Sequence, residues 1–392
     1  MRIILLRGQS QYDVLGIFID QLAVAFNLCN IETHVLNILD ADMESQLLQL
    51  LEKKVDFFIS FNLTGLLKVN NCEWLFDALN IPLISILVDH PIHHLSRLQA
   101  GIQHLLVGVV DRGMLPFLQR FLPEIQSPFF LPHGAIECSH SLPAIPDGQQ
   151  KKHQILLSGT YSSLEGITNE IQAMPTEIKN LLRDIIDHGI CHEGRSLIEI
   201  TEYVLSEKNI LDETVLVDLS MTYLEYVDKY IRSYWRENAI DGLLSNQWNV
   251  AVCGNGWENH PKSGDLSIYS ARSGLAVIEL MHQAEICLDV GANFIYGAHE
   301  RTLTAMLNYI PVVVHRNEFY QKNFEDQKQL MLYSHNNKEE LAEKIFALLD
   351  HPEYQIEMGM AAHDAVATRH TWLRRAKSIL SHFYLYQDRT RQ

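Results

Sequence analysis

Signatures of disulfide-rich, zinc-binding and membrane-anchored proteins are missing from this sequence. Its cysteines are scattered and form no CxxC pair; the six are Cys29, Cys72, Cys138, Cys191, Cys253 and Cys287. Zinc-ligand spacing is therefore absent, and we expect reduced, mostly buried thiols. The N-terminal apolar run is too short for a signal peptide, and no run approaches the roughly 18 residues of a membrane helix. These absences predict a soluble, cytoplasmic protein without a transmembrane segment.

Positive charge is also scarce. The chain has 31 Lys and Arg against 48 Asp and Glu, a formal net charge of -17. Proteins that depend on attraction to nucleic-acid backbones or anionic lipid carry the opposite excess, so we expect no nucleic-acid partner. A local basic pocket for one small anion stays compatible with this balance. With 20 glycines, 12 prolines and 47% apolar residues, the 392-residue chain is expected to fold, and its length fits two domains.

Short apolar runs alternate with amphipathic stretches in the N-terminal part of the chain. The runs predicted to be strands are Ile3–Leu6, Thr33–Leu39, Phe57–Phe61, Leu83–Val88, Leu105–Val110 and Phe129–Leu131. This alternation predicts a parallel sheet covered by helices, in which ligands bind beyond the carboxyl ends of the strands. The polar residues expected along that edge are Gly8–Ser10, Asn62–Thr64, Asp89–His90 and Asp111–Arg112.

A polar stretch with two prolines, residues 140–153, is the predicted linker between two α/β domains. It divides the chain into a first domain at 1–145 and a second at 146–375, and the end of the last helix, 376–392, is expected to cross back to the first domain. A nearly continuous helical pattern at about 164–244 predicts a helical insertion in the second domain. A stripe of tyrosines on this insertion offers an interface for a second copy of the chain.

Two nucleotide-binding fingerprints, GxGxxG and GxxxxGK[ST], are missing. Glycines nevertheless follow two predicted strands, as Gly159-Thr160 and as Gly254-Asn255-Gly256-Trp257. A glycine at a strand end permits positive φ and lets the backbone approach a ligand closely. A tight turn that only changes the chain direction explains the same residues equally well.

A further strand leads through a loop containing Asn293 into a helix that is predicted to start near His299. The residues that open this helix are His299, Glu300, Arg301 and Thr302. A helix N-terminus suits a phosphate because of its unpaired N–H groups and the positive end of its dipole. Arg301 and Thr302 would add phosphate contacts, and Glu300 would accept from a ribose diol. A Glu300 that only favours the helix dipole and a surface Arg301 account for the pattern equally well.

The run His299–Asn308, followed by Pro311 and an apolar strand, resembles the donor-site helix of GT-B glycosyltransferases. The likeness is strongest to the CgeB-like (spore maturation protein type) group. Other stretches that resemble this group, in the same order, are Leu87–Pro91, Tyr226–Arg236, Val250–Glu258, Phe319–Tyr333, Glu340–Ala342 and His370–Ala376. The resemblance covers about residues 155–380, and over the N-terminal half it rests on architecture and on Leu87–Pro91.

The resemblance implies a GT-B fold, with two Rossmann-like domains facing a cleft and a nucleotide-sugar donor held mainly by the second. It implies that Glu300 binds the ribose and that His299, Arg301 and Thr302 line the diphosphate or sugar. It further implies that the glycine loops surround the donor, and that the protein needs no cofactor and no bound metal. Many GT-B enzymes carry two glutamates separated by seven residues. Ala292 occupies the first of these positions here, so we infer no retaining mechanism from such a pair.

Asp89 and His90, with His93 behind them, are the candidates for a general base in the first domain. They follow a buried strand, and Pro91 favours an extended conformation of His90. Three histidines among residues 90–94 also suit a structural cap or a metal cluster. The weaker candidates are His133-Gly134 near the expected cleft and, interpreted mainly as the edge of a packed helix, Tyr230, Arg232 and Arg236.

Together these features predict a cytoplasmic, hexosyltransferase-like glycosyltransferase. It would move a sugar from a UDP-type donor to a hydroxyl of a glycan, a lipid-linked glycan or a protein, and Arg301 would stabilise the departing diphosphate. A noncatalytic nucleotide-sugar-binding or scaffold protein is the alternative hypothesis, and a GT-B epimerase or phosphorylase is a second one.

Overall fold

The computed structural model of the chain describes residues 1–69, 72–138, 151–210, 212–291 and 294–390. The chain forms two compact units. Unit 1 comprises Met1–Ile136 and Arg369–Gln392, and unit 2 comprises Glu137–Thr368. The chain therefore ends in the unit in which it begins. Most of the predicted linker, up to residue 150, lies outside the described residues.

Unit 1 contains a parallel sheet and a small antiparallel ribbon. Its strands are β1 (Arg2–Arg7), β2 (Glu32–Asn37), β3 (Phe57–Phe61), β4 (Lys68–Val69), β5 (Glu73–Trp74), β6 (Leu83–Leu87), β7 (Leu105–Val109) and β8 (Phe129–Phe130). Among the described residues the order of the parallel sheet is β2-β1-β3-β6-β7-β8, and β4 pairs with β5. The central strands β3, β6 and β7 are buried along their whole length because helices cover both faces of the sheet. The sequence prediction of the six parallel strands is confirmed.

Unit 2 contains a second parallel sheet. Its strands are β9 (His153–Ser158), β10 (Val250–Cys253), β11 (Ser267–Tyr269), β12 (Ala284–Asp289), β13 (Val312–His315) and β14 (Met331–Tyr333). Within the described part of the chain their order is β11-β10-β9-β12-β13-β14. The chain direction across the sheet reverses between β9 and β12, and such a switch point is where ligands bind in open α/β sheets. The sequence predicts strands at Gln154–Ser158, Trp248–Cys253, Ile286–Val290 and Val312–His315, which correspond to β9, β10, β12 and β13. It gives no strand at the two edges, where β11 and β14 lie.

Helices cover the sheets and form the predicted insertion. They are α1 (Val14–Leu28), α2 (Met43–Leu51), α3 (Leu75–Ala78), α4 (Leu95–Leu98), α5 (Leu115–Phe121), α6 (Leu164–Gln172), α7 (Thr176–Cys191), α8 (Leu197–Glu207), α9 (Glu213–Thr222), α10 (Leu224–Ser245), α11 (Gly274–His282), α12 (Glu300–Leu307), α13 (Glu318–Asn323), α14 (Lys338–Leu349), α15 (Pro352–Arg369) and α16 (Trp372–Thr390). The helical section expected at 164–244 corresponds to α6–α10. Helix α16 packs on unit 1, where the rings of Phe18 and Trp372 lie 5.1 Å apart and those of Phe57 and Phe383 4.3 Å apart.

Over the residues that the structure describes, no helix combines the length and the apolarity needed to cross a bilayer.

The cysteines depart from the expected burial. All six are free thiols, but only Cys253 and Cys287 are buried. Burial raises the pKa of both thiols, that of Cys287 to about 12. The expectation of mostly buried thiols is wrong for the other four. Two of these, Cys29 and Cys191, lie at the ends of helices, where the side chain leaves the packed face.

Candidate functional site

The loops that follow β9 and β10 lie against each other. The N–H of Gly159 donates to the carbonyl oxygen of Cys253 at 2.8 Å. Gly254 has a φ of +149°, and a Cβ there would lie 2.3 Å from the carbonyl oxygen of Gly159. Gly256 has a φ of +85°, and a Cβ there would lie 2.2 Å from the carbonyl oxygen of Tyr161. Only glycine fits these two positions. The two predicted glycine loops therefore form one surface at the carboxyl ends of the central strands.

Trp257 and Asn255 hold this surface in place. The Trp257 indole is fully buried, donates from Nε1 to the carbonyl oxygen of Gly159 at 2.7 Å, and stacks on Tyr161 at 5.2 Å. The carbonyl oxygen of Asn255 accepts from the N–H of Tyr161 at 2.9 Å. These contacts explain both residues as supports of the loops, and their contact with a ligand stays a prediction.

Two arginines converge on the loop after β9. Arg301 Nη1 donates to the carbonyl oxygen of Ser158, and Arg236 Nη1 donates to that of Thr160. A Cβ at Gly159 would lie 2.6 Å from Arg301 Nη1 and 3.4 Å from Arg236 Nη2, so the glycine leaves room for both guanidinium groups. A strand end with two adjacent guanidinium groups is a chemically suitable seat for an oxyanion such as a diphosphate.

Charged groups of both signs lie close together at this place, since the charges of Arg232, Arg301, Asp289 and Asp228 all act on Arg236. Arg232, one turn before Arg236 on α10, pairs with the buried Asp228 at 2.7 Å. Burial, together with the charges of Arg232 and Arg301, lowers the pKa of the Arg236 guanidinium to about 9. The sequence analysis interpreted Arg232 and Arg236 as the edge of a packed helix. Only their spacing of one helical turn, which places both on one face of α10, signalled a shared role.

The start of α12 is internally connected. Arg301 Nη2 lies 2.7 Å from Nε2 of His299, and Nδ1 of His299 pairs with the Glu300 carboxylate. Because the guanidinium only donates, Nε2 accepts from it. Nδ1 lies beside the Glu300 carboxylate and also 3.5 Å from the N–H of Arg301. The N–H of His299 donates to the hydroxyl of Tyr320 at 3.2 Å. His299 thus orients both of the charged residues that the sequence predicts to contact a donor.

Thr302 faces into the protein. Its hydroxyl donates to the Asp289 carboxylate at 2.6 Å, and both side chains are buried. A small, mainly apolar cavity between β9, β12 and α12 also has Ser158, Asp289, Arg301 and Thr302 among its lining residues. The hydroxyl therefore holds Asp289 at the edge of this cavity, and direct contact of Thr302 with a phosphate stays a prediction.

In unit 1, a hydrogen bond from Asn62 orients the Asp89 carboxylate. Asn62 Nδ2 donates to Asp89 Oδ2 at 3.0 Å, and His94 Nε2 lies 3.8 Å from the same oxygen. The Asp89 side chain is 53% exposed, so its carboxylate is accessible. The sequence placed Asn62 on this edge without giving it a role, and it named His93 rather than His94. A parallel sheet brings Asn62 and Asp89 together because they end neighbouring strands, β3 and β6.

His90 and the His133-Gly134 pair are packed into unit 1. His90 is buried, accepts from the N–H of Ile92 at 3.3 Å and meets Phe117 edge-on at 5.2 Å. The carbonyl oxygen of His133 accepts from Arg375 at 2.9 and 2.7 Å, and a Cβ at Gly134 would lie 2.6 Å from the Trp372 ring. The His90 side chain therefore caps the loop that follows β6. The contacts of His133 and Gly134 pack the start of α16 against the rest of unit 1.

In its described part the structure gives no contacts for two features of the sequence analysis, Asn293 and a metal cluster. Asn293 lies outside the described residues. Among the residues that are described, no group of three or more His, Cys, Asp or Glu side chains could hold a metal ion.

The sequence and the fold are similar to those of glycosyltransferases. Residues 232–381 match the model of a family described as "Glycosyl transferase-like". No curated protein matches the chain significantly. Similar solved structures include HepE of Anabaena in complex with UDP-glucose, with 12% identity and a TM-score of 0.54 over 98% of this chain and 99% of that one. Sucrose-phosphate synthase of Thermosynechococcus elongatus gives 10% identity and a TM-score of 0.52 over 99% and 98%.

A glycosyltransferase of Rickettsia africae gives 10% identity and a TM-score of 0.51 over 97% of both chains. These likenesses extend over both units. The chain therefore has the GT-B fold, with two Rossmann-like units, and its C-terminal part carries a glycosyltransferase sequence signature.

Proposed function

We propose that this GT-B protein is a glycosyltransferase that moves a hexosyl group from a nucleotide diphosphate sugar to an acceptor hydroxyl. UDP is the preferred nucleotide of the proposal, and HepE, which shares the fold, was solved with UDP-glucose. The CgeB-like group remains the proposed subfamily. The observation that carries the proposal is the pair of guanidinium groups, Arg236 and Arg301, beside the glycine loop at the switch point of unit 2.

In this proposal unit 2 binds the donor. The diphosphate lies against Arg236 and Arg301, whose remaining N–H groups form charge-assisted hydrogen bonds to its oxygens. Glu300, oriented by His299, accepts hydrogen bonds from the ribose diol. The glycines at 254 and 256 let the donor approach the backbone of the loop after β10.

The same arginines act in the chemical step. The bond between the anomeric carbon and the diphosphate oxygen breaks, and negative charge grows on that oxygen. Preorganised guanidinium groups stabilise this charge without a metal ion. Metal independence is therefore part of the proposal.

Unit 1 supplies the acceptor side. The acceptor oxygen bonds to the anomeric carbon, and its proton moves to an accessible carboxylate, for which Asp89 is the candidate. The Asn62 amide fixes the orientation of this carboxylate. The acceptor class is the one predicted from the sequence: a glycan, a lipid-linked glycan or a protein.

Donor binding is tested by isothermal titration of UDP into the Arg301→Met and Arg236→Met variants. Each change keeps the apolar stem and removes the charge, so we expect at least about tenfold weaker binding. Arg195→Met is the matched control, because Arg195 is exposed and stacks on Tyr203 within the helical insertion. Unchanged UDP affinity in both test variants would contradict the site.

Glu300 is tested separately with a ligand that lacks the diol. We expect Glu300→Gln to weaken UDP several-fold and to leave 2′,3′-dideoxy-UDP unaffected, because only UDP presents ribose hydroxyls. Equal losses for the two ligands would show that Glu300 acts through the fold of the α12 start.

A noncatalytic nucleotide-sugar-binding protein is the second candidate, and the observation that favours it is Ala292 in place of the first glutamate of the pair. Transferases commonly leak donor to water. Release of UDP from UDP-glucose that depends on Asp89, Arg236 and Arg301 would support the enzyme, whereas tight binding without any turnover would support the binding protein.

A further inference from the structure

Three side chains form a buried cluster at the carboxyl ends of β13 and β14. His315 ends β13, Tyr333 ends β14, and His335 follows shortly after. The His335 ring stacks on His315 at 5.0 Å, on Trp235 of α10 at 4.8 Å, and meets Tyr333 edge-on at 5.4 Å. We call His315, Tyr333 and His335 the β13–β14 cluster. Their exposed fractions are 5%, 2% and 8%.

Each member of the β13–β14 cluster has a polar atom without a hydrogen bond to any described residue. These atoms are Nδ1 of His315, Oη of Tyr333 and Nε2 of His335. Buried polar atoms in native proteins are almost always hydrogen-bonded, because leaving them unpaired costs free energy. Three such atoms on side chains in mutual contact therefore indicate a binding position for a polar group from outside the chain.

Neighbouring groups fix what His315 offers and where it faces. Its Nε2 lies 2.9 Å from the carbonyl oxygen of Phe294, so Nε2 carries the proton and Nδ1 is an acceptor. A Cβ at Gly291 would lie 3.2 Å from the His315 ring and 3.6 Å from an oxygen of Asp289. The imidazole therefore faces the loop after β12, at the same sheet edge as Asp289 and the start of α12.

The cluster is neutral and lies beside negative charge. Burial lowers the pKa of both imidazoles, and burial together with the carboxylates of Asp289 and Glu193 raises the pKa of Tyr333. Glu193 is held nearby by the hydroxyl of Ser334, which donates to it at 2.9 Å. Uncharged donors and acceptors near two carboxylates suit hydroxyl groups and disfavour a bound carboxylate.

We propose that the β13–β14 cluster binds hydroxyl groups of the transferred sugar and selects a neutral hexose over a uronic acid. The proposal rests on the proposed donor function of unit 2 and adds the sugar class. His315 accepts from one sugar hydroxyl, and the Tyr333 hydroxyl and His335 complete the contacts.

The test compares UDP-glucose with UDP in the Tyr333→Phe variant, by isothermal titration. We expect about tenfold weaker binding of UDP-glucose and unchanged binding of UDP, since only the former carries the sugar. Tyr354→Phe is the matched control: it also loses a phenol hydroxyl of unit 2, one that donates to the carbonyl oxygen of Gln327. His335→Phe keeps the stacked rings and is expected to behave like Tyr333→Phe.

Several outcomes would overturn the proposal. The first is unchanged UDP-glucose binding in both variants, which would mean that only water occupies the cluster. The second is a loss of UDP affinity equal to the loss of UDP-glucose affinity. The third is binding of UDP-glucuronic acid to the unaltered protein as tightly as UDP-glucose. Failure of the unaltered protein to bind UDP or UDP-glucose would count against the proposed function instead.

Thermal unfolding without ligand then tests whether the buried Tyr333 hydroxyl is unpaired, as the proposal requires. Removal of an unpaired buried hydroxyl should leave the melting temperature of Tyr333→Phe equal to that of the unaltered protein or raise it. A fall of several degrees would show that the hydroxyl serves the fold, and would overturn the proposal.

Discussion

The carboxyl ends of the two parallel sheets carry opposite chemistry. In unit 2 the guanidinium groups of Arg236 and Arg301 converge on the loop after β9. In unit 1 the same kind of edge presents the Asp89 carboxylate, oriented by Asn62. Positive charge suits an anionic leaving group, and an accessible carboxylate suits the acceptance of a proton. One architecture therefore supports two chemical roles, because the side chains at the strand ends differ while the strands do not.

The backbone conformation at the carboxyl ends of the two sheets also differs, in the residues that adopt a positive φ. Unit 2 uses glycine where φ is positive, at Gly254 and Gly256, and so leaves space for a ligand. After β3, unit 1 has positive φ not only at Gly65, at 80°, but also at Asn62 and Leu63, at 50° and 53°. A left-handed residue with a side chain is strained, and such strain persists where the side chain is needed. Here the Asn62 amide donates a hydrogen bond to the Asp89 carboxylate, and glycine has no side chain that could do so.

The largest expected effect comes from a mutation that changes the carboxyl edge of the unit 1 sheet and leaves that of unit 2 unaltered. We expect Asp89→Asn to lower kcat about a thousandfold, the middle of the range for a lost general base, because the amide cannot accept the acceptor proton. The dissociation constant of UDP-glucose should not change, since the proposed donor site lies on unit 2. Steady-state kinetics together with donor titration measure both quantities. Asp40→Asn, at an exposed carboxylate of unit 1, is the control. A loss of donor affinity in Asp89→Asn would break the division of roles.

Local sequence patterns predict the strands and the positions of the loops. They do not predict contacts between residues that are far apart in the chain. Strands β3 and β13 are short, mostly apolar runs with clear ends, and both are predicted residue for residue. Strands β11 and β14 have three residues each, too few to show a period. In the site, glycine predicts the loops after β9 and β10. The contact of Arg236 with Thr160 joins residues 76 positions apart, so no local pattern contains it.

The second expected effect tests the close packing of the unit 2 loops. At Gly254 an alanine meets the Gly159 carbonyl oxygen and an unfavourable φ, so we expect Gly254→Ala to lower the free energy of unfolding by about 3 kcal/mol. Gly194→Ala is the control, with a φ of +81° and no atom within 4 Å of the added Cβ. It should cost about 1 kcal/mol, from backbone strain alone. Urea unfolding followed by circular dichroism gives both values, and equal losses would contradict the contact between the two loops.

The smallest expected effect concerns a buried imidazole of unit 1, a counterpart to the neutral histidines of unit 2. His370 accepts from Arg375 at 2.9 Å, and burial, with the charges of Arg375 and Arg369, lowers its pKa to about 3. The unfolded chain binds a proton at this residue below about pH 6.5, whereas the folded chain does not. Folding is therefore fully favoured above that pH and loses stability as the pH falls towards 3, by about 2 kcal/mol between pH 7 and 5.

The His370→Asn variant isolates this contribution. The Asn amide oxygen can accept from Arg375 without titrating, so the stability lost by acidification from pH 7 to 5 should be smaller by about 2 kcal/mol than in the unaltered protein. His351→Asn, at an exposed position, is the control and should follow the unaltered protein. Urea unfolding at the two pH values measures the difference. An acid sensitivity that is the same in all three proteins would contradict the assignment of this contribution to His370.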